Sequence, residues 1–290
     1  MNELKAPPRE HSDFIQSANV TALMRALLSE KGGMNPDFLA KEFVSGPLKN
    51  LLIDIEESIA SVNRRVPGCV YYHLVRTKRF DETLLDWCRD NRGRSQVIIL
   101  GAGFDSRSIR FNQELKNINV YEVDLEAMLN HKKGIIRNLN VKNKSIYIPI
   151  NFGKESLLDV FEKNNIPQDL PTLILWEGVS YFLDESTVID ILSSLRTYFY
   201  QSVKVVLDYA YRDYINGNLD YFGAPELFKE LKEIGEPHVS GIDHNNIDAF
   251  AKKVDYKIYR HYPASRLEEI YLPKPLKMHG FHGILELVSP

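Results

Sequence analysis

The sequence predicts an α/β protein with a largely parallel, doubly wound sheet, because the residue pattern changes once along the chain. Residues 15–90 place apolar side chains at helical spacing, as in TALMRALLSE. From Gln96 onward, short β-branched and aliphatic runs alternate with helical stretches, which is typical of βαβ units. We therefore expect an N-terminal helical cap, residues 1–95, followed by an α/β domain, residues 96–290.

Seven apolar runs are the candidate strands of the sheet, and a long segment separates the fifth from the sixth. This segment, about residues 209–253, is rich in Tyr, Gly and Pro and is much longer than a crossover helix requires. It is predicted to be a lid over the active face, although a surface excursion without function is the alternative. The predicted strands are Val97–Leu100, Val120–Val123, Ile146–Ile150, Leu173–Trp176, Val203–Asp208, Lys257–His261 and Ile284–Val288.

Composition and charge argue against several classes of protein. The net charge of −3 is unfavourable for nucleic-acid binding, and the one basic stretch, Lys132 to Lys144, is predicted to be a solvated helix and loop. Cys69 and Cys88 are too few for a disulfide framework. The first twenty residues have no apolar signal-peptide segment, and no stretch is long enough to span a membrane. We expect a cytoplasmic monomer or homodimer with no nucleic-acid or membrane partner.

The first predicted strand ends on a glycine turn in the stretch VIILGAGFDSRSIRF. Gly101 and Gly103 allow unusual backbone angles and close approach of a ligand at the carboxyl end of the strand. A dinucleotide fingerprint would have a third glycine at position 106, where this chain has Ser106. The turn therefore disfavours a pyrophosphate, and it is compatible either with another nucleoside ligand or with an αβ turn that binds no ligand.

Two acidic residues follow other predicted strands at the same edge. Asp124, in VYEVDLEAM, is suited to accept hydrogen bonds from a ribose diol, although a helix cap is the alternative. Glu177 follows the fourth strand and precedes Tyr181. A carboxylate with nearby aromatic rings suits a positively charged ligand group, and a solvated loop acid is the alternative.

These motifs together resemble the leucine carboxyl methyltransferase family, in particular its bacterial branch of polyketide and other natural-product O-methyltransferases. The resemblance runs from about Thr21 to Leu287 through VIILGAGFDSRSIRF, VYEVDLEAML, LPTLILWEGVSYFLDEST and IGEPHVSGID. It implies a class I S-adenosylmethionine-dependent methyltransferase fold, a Rossmann-like seven-stranded sheet. It also implies an N-terminal helical cap and a lid insertion before the last two strands.

The resemblance assigns most of the cofactor-binding residues by position. It implies that Gly101 and Gly103 lie against the methionine part of S-adenosylmethionine and that Asp124 holds the ribose. It further implies that Arg76, in YYHLVRTKRFDETL, binds the cofactor carboxylate and that Glu177 contacts the amino-acid end.

Two further segments match the family pattern with departures. Asn151-Phe152 stands where the family has Asp-Leu beside the adenine, which puts the strength of cofactor binding in question. Asp105 is implied to be near the site. Arg107 and Arg110 are interpreted mainly as structural ion pairs.

The sequence predicts that catalysis comes mainly from proximity, and it offers His238 and His261 as candidate bases for a hydroxyl acceptor. Tyr181, Tyr209 and Tyr221 are candidate substrate-binding residues for a planar acceptor. His279 and His282 lack a convincing third partner for a metal site, so no metal is expected.

The predicted function is methyl transfer from S-adenosylmethionine to a carboxylate or phenolic hydroxyl of a small metabolite. A protein C-terminal carboxylate is the alternative acceptor. Two other classes remain open: an NAD-dependent oxidoreductase, which Ser106 disfavours, and a non-catalytic cofactor-binding protein.

Overall fold

The computed structural model describes residues 11–290, which form an α/β fold around one seven-stranded sheet. Residues 1–10, half of the N-terminal segment that lacks a signal-peptide pattern, lie outside this range. The strands are β1 Ser95–Leu100, β2 Ile118–Asp124, β3 Ile146–Pro149, β4 Thr172–Trp176, β5 Val203–Ala210, β6 Lys257–Tyr262 and β7 His282–Val288. Each predicted strand is therefore present, with ends within two residues of those expected.

The strand order is β3-β2-β1-β4-β5-β7-β6, and the first five strands are parallel. β7 runs antiparallel to both β5 and β6. β1 and β4 are buried along their whole length, which explains why they read as continuous apolar runs. The predicted fold class, a doubly wound sheet of seven strands with a helical cap, is confirmed.

Helices cover both faces of the sheet and form the N-terminal cap. The cap ends at Asp90, and β1 begins at Ser95, one residue before the predicted division. The helices are α1 His11–Glu30, α2 Ala40–Phe43, α3 Ile55–Arg65, α4 Cys69–Asp90, α5 Arg107–Arg110, α6 Glu126–Leu139, α7 Leu157–Lys163, α8 Glu185–Tyr198, α9 Arg212–Ile215, α10 Ala224–Glu233, α11 Ile247–Lys253 and α12 Ala264–Tyr271, with 3-10 turns at Gly46–Leu52 and Ser180–Phe182.

One hydrophobic core runs through both predicted segments. Leu27 of α1 and Phe80 of α4 belong to the same buried cluster as Ile98 of β1 and Trp176 of β4. The 22-residue helix α4 contributes the largest buried face of the cap and lies against β4 and β5. Because α4 packs on these two strands, its side chains reach the edge where their carboxyl ends lie.

The inserted segment is shorter than predicted at both ends. Tyr209 and Ala210 belong to β5, and Ile247–Lys253 is α11, the helix that leads into β6. The insertion, which we call the lid after its predicted role, is therefore residues 211–246, which contain α9 and α10.

Lys132 departs from the expectation for the basic stretch. Its side chain is fully buried, and Nζ lies 2.6 Å from Glu122 Oε2. The rest of the stretch is not a continuous solvated surface, because Ile136 is buried as well. Among the described helices, none is both long and apolar enough to cross a membrane.

Candidate active site

The carboxyl ends of β1, β2, β4 and β5 bring the predicted acidic residues to one edge of the sheet. β1 lies between β2 and β4, so the chain direction across the sheet reverses there. Open α/β sheets bind ligands in the crevice outside such a switch point. Gly101 follows β1, Asp124 ends β2 and Glu177 follows β4, as the sequence predicts.

The glycine turn is packed against the segment that follows β4. Gly101 has a φ of +63°, and a Cβ on it would lie 2.4 Å from Cγ2 of Val179. The Gly101 N–H donates to the Val123 carbonyl at 2.8 Å. Gly101 is therefore required both by its backbone angle and by the close approach of the neighbouring turn.

Asp124 is tied to the same glycine turn. Its Oδ2 accepts from the Gly103 N–H at 2.6 Å, and its Oδ1 accepts from the Leu125 N–H at 2.7 Å. Burial raises the pKa of the Asp124 carboxyl, while these two donors act in the opposite direction. Each carboxylate oxygen can accept a second hydrogen bond, so the residue is oriented without being saturated.

Arg76 is a buried residue of α4, and it binds side chains near the carboxyl ends of β4 and β5. Its Nε donates to Glu177 Oε1 at 2.9 Å, and its Nη1 donates to Asp208 Oδ2 and to the Tyr181 hydroxyl, both at 3.0 Å. Its Nη2 makes no hydrogen bond with a described residue. Arg76 is thus held in place by three side chains and keeps donors available.

Glu177 lies between two arginines. Oε1 is bound to Arg76, and Oε2 forms an ion pair with Arg107 Nη1 at 2.6 Å. Burial opposes ionisation, but the charges of Arg107 and Arg76 outweigh it and lower the pKa of the Glu177 carboxyl to about 2. Glu177 is therefore a carboxylate at physiological pH.

These contacts belong to a continuous buried set that we call the arginine–carboxylate network. It links α1, α4, α5, β4 and β5 through ion pairs of 2.5 to 3.5 Å. It contains more carboxylates than guanidinium groups, so a cation would complete its charge. Its members are Arg25, Arg76, Arg107 and Arg110 with Asp37, Asp81, Asp105, Glu177 and Asp208.

Arg107 and Arg110 form buried ion pairs, as the sequence analysis expects of them. Asp105 Oδ2 lies 2.5 Å from Arg107 Nη1, and the same nitrogen forms the ion pair with Glu177 Oε2. Arg110 pairs with Asp81 at 2.7 Å. Both arginines therefore form ion pairs, and Arg107 additionally fixes one oxygen of Glu177.

A second group, buried except for the half-buried His238, adjoins the network, and we call its members His73, His238, His279 and His282 the histidine cluster. The His282 ring stacks on Tyr72 with centroids 4.3 Å apart, and the His238 ring lies 4.3 Å from that of Tyr181. The two tyrosines also bind the network: the Tyr72 hydroxyl donates to Asp208 Oδ2 at 2.5 Å. The cluster and the network therefore share two aromatic side chains.

His279 and His282 are each only 1% exposed, and none of their four ring nitrogens bonds to a described residue. Burial, followed by the charge of Arg76, lowers the pKa of His279 to about 3. Burial, followed by the neighbouring histidines, lowers that of His282 as well. A buried polar group without a partner costs about 1–3 kcal/mol, so two such imidazoles side by side require a physical explanation.

No metal explains the cluster. Among the described residues, no group of three or more His, Cys, Asp or Glu side chains is arranged to hold a metal ion. His73 Nδ1 instead contacts the Cys69 carbonyl oxygen at 2.9 Å.

Three predicted residues lie apart from this centre. Tyr209 and His261 contact each other at 2.6 Å, on the face of the sheet opposite Asp208, because successive strand residues alternate sides. The Tyr221 hydroxyl donates to Asp213 at 2.5 Å within the lid. This placement favours His238 over His261, and Tyr181 over Tyr209, as residues near a bound acceptor.

Asn151 and Phe152 lie at the same edge as Asp124, since β3 ends beside β2. Asn151 Oδ1 accepts from the Gly153 N–H at 3.2 Å, which orients the amide in a short turn. Both side chains are partly exposed. Their position suits contact with the base of a nucleoside whose ribose is bound at Asp124.

The sequence analysis missed Asp208, Tyr72 and the pairing of His279 with His282. Asp208 lies near the carboxyl end of β5, so the rule that identified Asp124 and Glu177 also applies to it. Tyr72 lies four residues before Arg76, which puts both on one face of α4.

The fold is that of class I S-adenosylmethionine-dependent methyltransferases. A solved structure titled "putative methyltransferase" from Thermobifida fusca YX superposes with a TM-score of 0.59 at 13% identity, covering 93% of this chain and 94% of the other. A DUF574 family protein from Streptomyces avermitilis gives a TM-score of 0.58 at 9% identity, covering 81% and 90%.

The chain belongs to the leucine carboxyl methyltransferase family, whose model matches residues 18–196. A relative from Bacillus subtilis is 25% identical over 185 residues, or 62% of this chain and 59% of the relative. One from Streptomyces coelicolor is 28% identical over 152 residues, or 49% of each chain. Both are named "Putative S-adenosyl-L-methionine-dependent methyltransferase". The match thus spans about half to three-fifths of these relatives, and the predicted family is confirmed.

Proposed function

We propose that this protein is an S-adenosylmethionine-dependent O-methyltransferase. Its acceptor is a carboxylate or phenolic hydroxyl of a small, polyketide-like or other secondary metabolite. The observation that carries the proposal is that Asp124, Glu177 and Arg76 come together at the switch point of the sheet, each oriented by buried contacts. The membership of the chain in the leucine carboxyl methyltransferase family supports it.

The chemistry of these groups fits S-adenosylmethionine. The cofactor carries a ribose diol, an ammonium, a carboxylate and a sulfonium. Asp124 has lone pairs left for a diol, Glu177 is ionised for an ammonium, and Arg76 Nη2 has donors for a carboxylate. The methionine end has a net positive charge, and the arginine–carboxylate network has an excess of carboxylates.

The bound cofactor supplies an electrophilic methyl group, and the chain supplies orientation and exclusion of water. The network fixes Arg76 and Glu177 before any ligand arrives, so little ordering remains to be done on binding. The lid covers the neighbouring acceptor side, because the His238 ring within it packs on Tyr181. A site closed in this way holds an acceptor near the methyl group and keeps water out.

We further propose a small-molecule acceptor, with no nucleic acid or membrane involved, for a protein that acts as a monomer or homodimer. A contact between the lid and Tyr181 supports a small acceptor. The Val239 N–H donates to the Tyr181 carbonyl at 2.8 Å, which holds the lid against the site. A protein C-terminal carboxylate would require an open groove at this position.

Isothermal titration with S-adenosylhomocysteine, with NAD as the comparison ligand, tests the cofactor. Micromolar binding of S-adenosylhomocysteine alone is the expected result. Binding of NAD alone would replace the proposal with an oxidoreductase. If neither ligand binds, the proposal is wrong.

The acceptor class is tested with S-adenosylmethionine carrying a radioactive methyl group. The protein is incubated separately with protein lysate and with an organic extract of cells. Label in the extract supports a small metabolite, whereas label in protein alone would overturn it in favour of a protein carboxylate. Tight cofactor binding without label in either fraction would favour a non-catalytic binding protein.

A further inference from the structure

His279 and His282 contact no polar partner among the described side chains and backbone through any ring nitrogen. A neutral imidazole has one N–H donor and one nitrogen acceptor, so the pair offers two donors and two acceptors. The ring centroids are 5.3 Å apart. A single hydroxyl group, which both donates and accepts, is the simplest partner for such a pair.

The position of His282 connects this pair to the methyl-transfer site. β7 is antiparallel to β5, so its first residue, His282, pairs with Ala210 at the carboxyl edge of the sheet. His282 stacks on Tyr72, whose hydroxyl is bound to Asp208, and Asp208 is bound to Arg76. His282 is therefore connected through Tyr72 and Asp208 to Arg76, the residue assigned to the cofactor carboxylate.

Aromatic rings flank the pair. The Phe281 ring lies 4.4 Å from His282 and 5.1 Å from His279, where it is stacked. The lid covers His279 closely: Gly223 has a φ of +77°, and a Cβ on it would lie 2.9 Å from His279 Cδ2. A planar ring stacks against such aromatic side chains better than a saturated chain does.

The charges near the pair disfavour an ionised acceptor. Neither histidine is a cation, since burial keeps both neutral. The nearest guanidinium, Arg76, is already paired with Glu177 and Asp208. A carboxylate placed against the histidines would gain no counter-ion from these side chains and would lie near the Asp208 carboxylate, which is unfavourable.

We propose that His279 and His282 bind the hydroxyl group of a neutral, planar acceptor, a phenol or an enol. This inference rests on the proposed methyl-transfer function and narrows its acceptor from a carboxylate or hydroxyl to a hydroxyl. The pair positions the acceptor oxygen, and the Phe281 and Tyr72 rings hold the acceptor plane.

His279 and His282 also receive the proton that the acceptor hydroxyl loses. As the oxygen lone pair forms the new O–C bond, the S–C bond breaks and its electrons remain on sulfur, which leaves the sulfonium as a neutral thioether. The O–H bond breaks and its proton passes to an imidazole nitrogen of the pair. Alkylation makes the oxygen far more acidic than an imidazolium, so a histidine of low basicity is a sufficient acceptor.

Matched planar probes test this site without requiring turnover. Phenol and 2-naphthol are titrated at pH 7 against benzoate and 2-naphthoate, with S-adenosylhomocysteine present and absent. Binding is followed by calorimetry and by the ring resonances of ¹⁵N-labelled histidines. We expect the phenols to bind at least about tenfold more tightly than the carboxylates, and to shift the signals of His279 and His282.

The variants His282→Phe and His279→Phe keep an aromatic ring and remove the nitrogens. Each should weaken 2-naphthol binding about tenfold while S-adenosylhomocysteine binding stays within about twofold. His244→Phe is the matched control, because His244 stacks on Tyr211 at 3.8 Å within the lid and lies outside the cluster. Circular dichroism verifies that each variant is folded.

Preference for the carboxylates, absence of phenol binding, or unchanged histidine signals on phenol binding would each overturn the assignment. The ¹⁵N resonances of the wild-type histidines test the assignment even where a variant does not fold. Failure of S-adenosylhomocysteine to bind is a separate result: it removes the proposed function, whereas loss of phenol binding alone removes only the histidine site.

Discussion

The arginine–carboxylate network and the histidine cluster lie side by side, share Tyr72 and Tyr181, and treat their polar atoms in opposite ways. In the network, every guanidinium faces at least one carboxylate at 3.5 Å or less. In the cluster, two fully buried imidazoles have no polar contact with the described residues. The difference teaches that the network orients its polar side chains through contacts within the protein, whereas the two imidazoles leave their nitrogens unpaired by any described residue.

Removing the central arginine should produce the largest effect. Arg76→Met leaves Glu177 and Asp208 facing each other without their shared cation, so we expect a loss of about 3–5 kcal/mol in the free energy of unfolding. S-adenosylhomocysteine should also bind about 100-fold more weakly, because a charge-assisted contact to its carboxylate is gone. Urea unfolding and calorimetry measure the two effects.

Arg64→Met is the control for this variant. Arg64 pairs with Glu57 on the surface, where both side chains are about two-thirds exposed (66% and 65%). Its loss should change stability by less than about 1 kcal/mol. Equal losses of stability in the two variants would show that the buried ion pairs of Arg76 stabilise the protein no more than a surface ion pair does.

The histidine cluster should make the protein sensitive to mild acid. The folded-state pKa values of His73, His279 and His282 are all lowered, so the unfolded chain binds protons that the folded chain does not. The free energy of unfolding should therefore fall as pH drops below about 6.5, by about 1.4 kcal/mol per pH unit for each such histidine. Urea unfolding between pH 7 and pH 5 measures this slope.

The network should respond in a different pH window. The Glu177 carboxyl has a folded-state pKa of about 2, so its contribution begins to be lost only below the unfolded value of about 4.3. His282→Phe should reduce the slope between pH 7 and pH 5, a range in which Glu177 does not titrate. A constant stability from pH 7 to pH 5 in the wild type would mean that the buried histidines are not neutral.

Asp124→Asn should weaken S-adenosylhomocysteine binding about tenfold with little change in melting temperature. The amide keeps one acceptor oxygen for the Gly103 N–H but loses the second carboxylate oxygen and the charge that favour a ribose diol. Asp159→Asn, at an exposed position of α7, is the matched control. Wild-type affinity in Asp124→Asn would remove this residue from the cofactor site.

Asn151→Asp should have the smallest effect and the opposite sign. It restores the carboxylate implied by the resemblance, which accepts a stronger hydrogen bond from an adenine amino group than an amide does. We expect S-adenosylhomocysteine to bind about two- to fivefold more tightly by calorimetry. Weaker binding would place Asn151 away from the base.

Local patterns account for what the sequence could predict. The strands and the residues that follow them, Gly101, Asp124 and Glu177, are read from apolar runs and their ends. Arg76 was identified only through the family resemblance, because a buried arginine on a helix has no local signature. Arg76 is buried because α4 packs on the sheet, which is a tertiary contact.

Long-range geometry accounts for what could not be predicted. The antiparallel direction of β7 brings His282 to the carboxyl edge, and no pattern within HGFHGILEL encodes that direction. The same packing separates His261 and Tyr209 from the site, although each is a reasonable candidate in sequence. Which histidines lie side by side is decided by tertiary contacts and not by spacing along the chain.

The continuity of the buried ion pairs also has a consequence for sequence divergence. A carboxylate such as Asp81 contacts both Arg107 and Arg110, so its replacement leaves two cations buried together. Members of the family that differ at one of these positions should therefore differ at its partner as well. Covariation among such pairs would report this packing directly, and a single uncompensated exchange should be rare among functional relatives.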